Sequence, residues 1–328
     1  YRAGAEAYYE SVGTYNATLH AASRHKDHAW SVNASRNFFD GWSPEEEGRS
    51  QLWKPKRQYD TELWHTWRKD QRRIRTSFKY FHELLKNSGE LLPPYFETAF
   101  DNNFYTRRWT LRADGTQPIG SRFRMDATAA WSSFRREKET LFKDLTTLKE
   151  VRSANTEDQD TSLFSSLMFR GILTSMDMNG PFSLQAGVDL NHEFGTGKRI
   201  TDKEQDIGDY AAFASFQLRP LASLELQPGL RFSYNTRYKP PLVWSIHARW
   251  NTLEQLVLRG SFSRGFRAPA LKELYLLFVD INHNIQGNPE LQAEYSWNTG
   301  LSALLSGRTT QFRWSAELHL FQNDIENI

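Results

Sequence analysis

Apolar and polar side chains alternate with period two along most of this chain, the pattern of a strand with two unlike faces. Tyr15, Ala17, Leu19 and Ala21 alternate with Thr14, Asn16, Thr18 and His20. A polar turn, Arg24–Asp27, leads into Trp30, Val32 and Ala34, so a hairpin is predicted here. The same alternation returns at Ala212–Leu218, Leu224–Tyr234, Trp244–Trp250, Leu256–Phe262 and Trp314–Leu320. Arg219, Glu225, Arg231, Arg249 and Arg259 all fall on the polar face. Strands of about 9–11 residues match a tilted crossing of a bilayer. Soluble strands run nearer about 5–6 residues. An Arg on a lipid-facing site at mid-depth would cost about 2–4 kcal/mol, so one-sided charge fits a membrane wall.

The connections alternate too. Short turns are predicted at Arg24–Asp27, Lys69–Gln71, Pro220–Ser223, Asn251–Glu254 and Ser306–Arg308. Longer stretches lie at Asp40–Gln58, Lys86–Asn103, Gly195–Asp206 and Arg264–Tyr295. Short turns on one rim and long loops on the other are the arrangement of an outer-membrane β-barrel. The segment Thr140–Arg152 reads equally as a short helix or a strand extension. The expected fold is therefore all-β, a transmembrane antiparallel β-barrel occupying residues 1–328.

Composition changes this picture little. The 328 residues are 24% charged, with mean hydropathy −0.67, and no apolar run is long enough for a membrane helix. A barrel strand needs apolar residues only at alternate positions, so these values are compatible with a membrane wall. Aromatic residues are 14% of the chain, enough to supply girdles at both bilayer interfaces. The net charge of +2 gives no strong field that would select nucleic acid or acidic lipid as a partner. Cysteine is absent, which removes disulfides, thiolate metal sites and cysteine nucleophiles.

One region goes beyond pattern. Gly265-Phe266-Arg267-Ala268-Pro269 ends a strand, and Gly287-Asn288-Pro289-Glu290-Leu291 precedes Glu294 and the next strand. These paired boxes resemble the TonB-dependent outer-membrane receptors. Asn37–Trp42, Trp53–Lys56 and Tyr80–Glu83 resemble early-barrel segments of that family, especially its Bacteroidetes-type members. Phe321–Ile328 resembles a late strand with its loop. The resemblance implies a barrel of 22 strands filled by an N-terminal plug. The plug and the segment that engages TonB would precede Tyr1, and closing strands would follow Ile328. It also implies active uptake of a ferric siderophore, haem or cobalamin. Outer-membrane lipid and TonB are then partners, with a surface lipoprotein as a further candidate.

Several residues are candidates for ligand contact. Phe266, Arg267, Ala268, Pro269, Asn288, Pro289 and Leu291 form the family motif; both prolines first mark where strand pairing stops. Between the boxes, Tyr275 and Phe278 belong to an apolar run and His283 follows. Haem receptors of the family carry a histidine in this interval, and imidazole is a good axial ligand for haem iron. His283 is therefore a candidate, alongside Arg267, Tyr275 and Phe278. The second box reads Asn-Pro-Glu-Leu where haem receptors usually have Asn-Pro-Asn-Leu, which weighs against haem. Haem is expected only as a transported ligand, with no resident cofactor or metal.

Other motifs carry less. His20, His25 and His28 surround one turn, but alternation points His20 away from a common site. Gly195–Arg199 lacks the spacing of a phosphate loop. Asn16-Ala17-Thr18 is a glycosylation sequon placed inside a strand. No paired acid–base or Ser/His motif supports a barrel enzyme. A passive porin and a structural or assembly subunit of an outer-membrane complex stand as alternatives to active import.

Overall fold

A computed structural model describes residues 1–44, 48–177, 180–279 and 284–327. Seven strands open the chain: β1 (Arg2–Glu10), β2 (Thr14–His25), β3 (His28–Phe39), β4 (Lys56–Lys69), β5 (Arg72–Asn87), β6 (Thr98–Ile119) and β7 (Phe123–Asp144). A short return strand, β8 (Glu150–Arg152), pairs back onto β7. Then come β9 (Asp160–Ser175), β10 (Phe182–Gly197), β11 (Glu204–Leu221), β12 (Leu224–Asn235), β13 (Val243–Leu253) and β14 (Leu256–Arg267). Helix α1 (Leu271–Tyr275) and a small ribbon of β15 (Leu277–Val279) and β16 (Asn284–Gln286) precede β17 (Glu294–Arg308) and β18 (Arg313–Glu326).

All long strands form one antiparallel sheet in which each pairs with its neighbour in sequence, from β1 through β7, then β9 through β14, then β17 and β18. Hairpins between sequence neighbours need no crossovers, so the register is set locally, turn by turn. Directly opposed residues share a face. Val32, Leu63, Phe78, Leu111, Trp131 and Leu167 are opposed in series across β3 to β9. Leu63, Leu111, Trp131 and Leu167 are 44–57% exposed, an apolar band that only a lipid environment can cover. The other face is charged, and several of its charges are paired. Lys79 meets Glu62 at 2.7 Å, and Asp189 accepts from Arg170 at 2.5 Å and Arg231 at 3.4 Å. This is the wall of a transmembrane barrel, with lipid outside and a polar lumen inside.

The predicted rims are recovered with shifted boundaries. One rim carries the connections 26–27, 70–71, 120–122, 176–181, 222–223, 254–255 and 309–312. The other carries 40–55, 88–97, 145–159, 236–242 and 268–293 among its connections. The expected turn at Ser306–Arg308 is instead strand, because β17 runs through it. The expected loop at Lys86–Asn103 is shortened at both ends by β5 and β6. Thr140–Arg152 resolves as a strand extension that folds back through β8.

Strand length is the main correction. Most strands exceed the expected 9–11 residues, and β6 and β7 reach 22 each. At about 3.3 Å per residue such a strand is about 70 Å long. A tilted crossing of a hydrocarbon core about 30 Å thick needs little more than half of that. The surplus rises beyond the bilayer on the long-loop side, where both faces meet water. Alternation fades there because neither face must be apolar: 135–139 reads Arg-Arg-Glu-Lys-Glu.

Candidate functional site

The segment between the two boxes folds inward rather than standing on the rim. Leu271, Leu274 and Tyr275 of α1 are buried against Ile200 and Ile207, with Phe164, Tyr238 and Leu276 packed around them. Phe164, Gly195 and Ile207 lie on the lumen face of β9, β10 and β11, so α1 seats on the inside of the wall. Ile200 and Leu276 form a bridge, and the Leu277 N–H donates to the Arg199 carbonyl at 2.9 Å. The apolar run thus gains a dry patch within a polar lumen, which is what keeps a five-residue helix in place.

The boxes themselves hold this loop. Arg267 and Glu294 are opposed residues of β14 and β17 and form an ion pair. The same guanidinium donates to Glu273 Oε1 at 2.5 Å, and Glu273 Oε2 accepts from the Ala270 N–H at 2.7 Å. The Ala270 N–H foremost, and then Arg267, hold the Glu273 carboxyl below its usual range against the opposing effect of burial. In the second box, the Gly287 N–H donates to the Leu276 carbonyl at 2.7 Å and the Asn288 N–H to the Glu273 carbonyl at 3.0 Å. A Cβ on Gly287 would lie 2.6 Å from backbone carbon of Leu274, so only glycine permits this approach. Asn288 Oδ1 accepts from the Glu290 N–H at 2.9 Å, and the Leu291 carbonyl accepts from the Tyr238 hydroxyl at 2.7 Å. Burial pushes the Tyr238 hydroxyl above its ordinary pKa.

The candidate residues therefore separate. Arg267 is engaged by two carboxylates and Tyr275 is 7% exposed within the α1 cluster, its ring under the Arg237 guanidinium at 5.3 Å. Phe266 packs at a tilt against Tyr295, with ring centroids 5.6 Å apart. Ala268 and Pro269 follow the end of β14, and Asn288, Pro289 and Leu291 precede β17. His283 and the side chain of Phe278 lie outside the described residues. His20 lies on the lumen face, opposite to His25 and His28.

A different set of residues converges on the inner wall beside α1. Arg108 of β6, Phe134 of β7, Phe164 of β9 and Gly195 of β10 are opposed in one continuous row. The Arg108 guanidinium sits 5.4 Å from the Phe134 ring centroid, and Phe134 and Phe164 are 6.5 Å apart. Just above, the Arg136 guanidinium lies 5.1 Å from the Phe104 ring. Lys272 of α1 lies 4.7 Å from the Phe164 ring. Between wall and helix is a cavity of about 310 Å³ lined by Phe134, Phe164, Ser166, Glu193, Leu271 and Lys272. Arg108 and Arg136 are exposed and, among the described residues, neither has a carboxylate at ion-pair distance, unlike Arg112, Arg124, Arg170 and Arg231 on the same wall. Sequence reasoning missed this row. The available signal was an Arg-Arg pair inside each of two adjacent strands, at 107–108 and 135–136.

Such a surface offers guanidinium forks and aromatic faces together, which suits an anion carrying flat rings. Comparison with known proteins bears on what kind of barrel presents it. A family model described as TonB dependent receptor-like, beta-barrel matches residues 4–328. The Iron-regulated outer membrane virulence protein of Vibrio cholerae serotype O1 is 29% identical over 154 residues, covering 45% of this chain and 23% of that protein. The Hemoglobin-haptoglobin utilization protein B of Neisseria meningitidis serogroup C is 28% identical over 148 residues, covering 45% of this chain and 16% of that protein. Among solved structures, the hemophore receptor HasR of Serratia marcescens, in complex with its hemophore HasA and heme, aligns with TM-score 0.65 at 12% identity. That alignment covers 99% of this chain and 54% of HasR. The siderophore receptor PirA of Pseudomonas aeruginosa aligns with TM-score 0.60 at 17% identity, covering 95% of this chain and 52% of PirA. The chain thus spans about half the length of these solved receptors, and its matched segments cover under a quarter of the two curated relatives. With the family model matched from Gly4 onward, the chain belongs to the TonB-dependent receptor-like β-barrel family of the bacterial outer membrane.

Proposed function

We propose that this barrel serves active, TonB-dependent uptake of an anionic iron chelate, either a ferric siderophore or haem. The observation that carries the reading is Arg108 and Arg136, without a carboxylate at ion-pair distance among the described residues, set among Phe104, Phe134 and Phe164 on the lumen wall. Catecholate siderophores and haem both combine negative charge with planar rings, so each matches that surface better than cobalamin does. The relatives, an iron-regulated outer membrane virulence protein and a hemoglobin-haptoglobin utilization protein, support the same class of cargo. The energy would come from TonB through a segment and plug outside this chain. His283 is proposed as an iron ligand if the cargo is haem, and a surface lipoprotein as an accessory partner. The early-barrel segments Asn37–Trp42 and Tyr80–Glu83 support a Bacteroidetes-type member.

The test is direct binding of a ferric catecholate and of haemin to the full-length receptor and to its Arg108→Ala/Arg136→Ala variant. Charge-assisted contacts each contribute about 1.5–3 kcal/mol, so affinity for the true cargo falls by roughly 10-fold or more. Unchanged affinity for both compounds would overturn the reading. A haemin Soret shift abolished by His283→Ala would assign the haem branch, and a shift left intact would remove His283 as a ligand.

A further inference from the structure

The outer face of the wall carries a second cluster at the short-turn rim, far from the lumen row. His25 and His28 are opposed across the β2–β3 turn, His28 opposes Trp67, and Trp67 opposes Ile74. Lys69 and Arg72 are opposed one step further toward the rim on the same lipid-facing side. His28 Nδ1 and His65 Nε2 are 3.0 Å apart, and Trp30 stacks on His65 with centroids 3.9 Å apart. Cations therefore lie immediately below an aromatic step, which lies below the apolar band led by Val32 and Leu63. The order along the membrane normal is charge, indole and imidazole, then hydrocarbon contact.

We infer that this patch binds the phosphate of an anionic glycerophospholipid in the periplasmic leaflet, with Lys69 and Arg72 holding the headgroup. Three observations support this occupant. First, neither Lys69 nor Arg72 has a carboxylate at ion-pair distance among the described residues, so each is available to an anion. Second, the positive charge is local. Lys69 and Arg72 are opposed on the lipid-facing side of the 70–71 turn, and Lys26 lies in the neighbouring 26–27 turn. Elsewhere on this rim the connection 120–122 contains Arg122, and those at 222–223, 254–255 and 309–312 contain no cation. A general interfacial requirement would spread the cations over every turn. Third, Trp30 and Trp67 face outward at the level where indole rings settle between headgroup and acyl chain. An exposed basic residue near a membrane surface contributes about 1 kcal/mol toward anionic lipid, and two adjacent ones add a geometry a free counter-ion does not need.

The inference is independent of the cargo. It is tested by mild delipidation of the full-length receptor in detergent, followed by intact-mass measurement of retained lipid after adding phosphatidylglycerol or phosphatidylcholine. Wild type is expected to retain phosphatidylglycerol selectively. The Lys69→Gln/Arg72→Gln variant should lose roughly 10-fold of that retention. Arg308→Gln/Arg313→Gln, at the 309–312 turn, should retain it and serves as the control for folding and general charge. Equal retention by the Lys69/Arg72 variant and wild type would overturn the proposal. So would complete competition by millimolar inorganic phosphate, which would identify a plain ion site.

Discussion

A Cβ placed on Gly195 would lie 2.9 Å from Cδ2 of Leu271, so the missing side chain on β10 is the seat of α1. The same imaginary atom would approach Phe164 Cε1 at 3.3 Å and Ile200 Cδ1 at 3.4 Å. Replacing Gly195 by Val should unseat the helix without disturbing the strand, since valine suits β structure. The expected result is faster proteolytic cleavage within 268–293, with the barrel's heat-modifiable gel mobility retained. Cleavage at the wild-type rate would show that α1 does not depend on this seat.

Glu273 makes the loop clamp pH-dependent. Its carboxyl is held below the usual range, so the stabilising contacts to Ala270 and Arg267 are fully present above its ordinary pKa of 4.5. They are lost as pH falls through the lowered folded-state value. Spin labels at Lys203 and Lys272 should therefore report a narrow distance distribution at neutral pH that broadens only once pH falls below the ordinary carboxylate range. Glu273→Gln should give the broadened distribution at neutral pH. A distribution insensitive to both changes would remove the clamp from the account.

Leu111 and Thr110 are neighbours in β6 that face opposite solvents. Leu111 opposes Phe78 and Trp131 in the lipid band, whereas Thr110 opposes Lys79 and Ser132 in the lumen. Leu111→Arg should destabilise the folded barrel by about 2–4 kcal/mol in reversible urea unfolding from lipid vesicles. Thr110→Arg should cost far less, because the new charge stays hydrated. Equal costs would reverse or dissolve the assignment of faces.

Much of the wall was legible from the sequence because each strand has to satisfy lipid on one side and water on the other. The middle of the hairpin, Thr14 to Ala21 and Trp30 to Ser35, was visible for that reason, while its strands extend to His25 and Phe39. Strand ends above the bilayer were not legible, since β7 from Arg135 to Asp144 obeys no such constraint and loses its alternation. The paired boxes marked the right region, yet their visible chemistry belongs to loop closure: Arg267 meets Glu294 and Glu273 instead of open solvent. The row of Arg108, Phe134 and Phe164 was hidden for a different reason. Its members sit on three strands, and only the register of β6, β7 and β9 brings them onto one level.

The seating of α1 also has a mechanical consequence. The loop leaves the wall at β14 and is fastened to β9, β10 and β11 before it returns at β17. It is a strut laid across an arc of the mouth, joining strands that share no ladder. An arc braced in this way resists widening, as a chord stiffens a hoop. Among the described residues, β1 through β6, Arg108 included, carry no such brace.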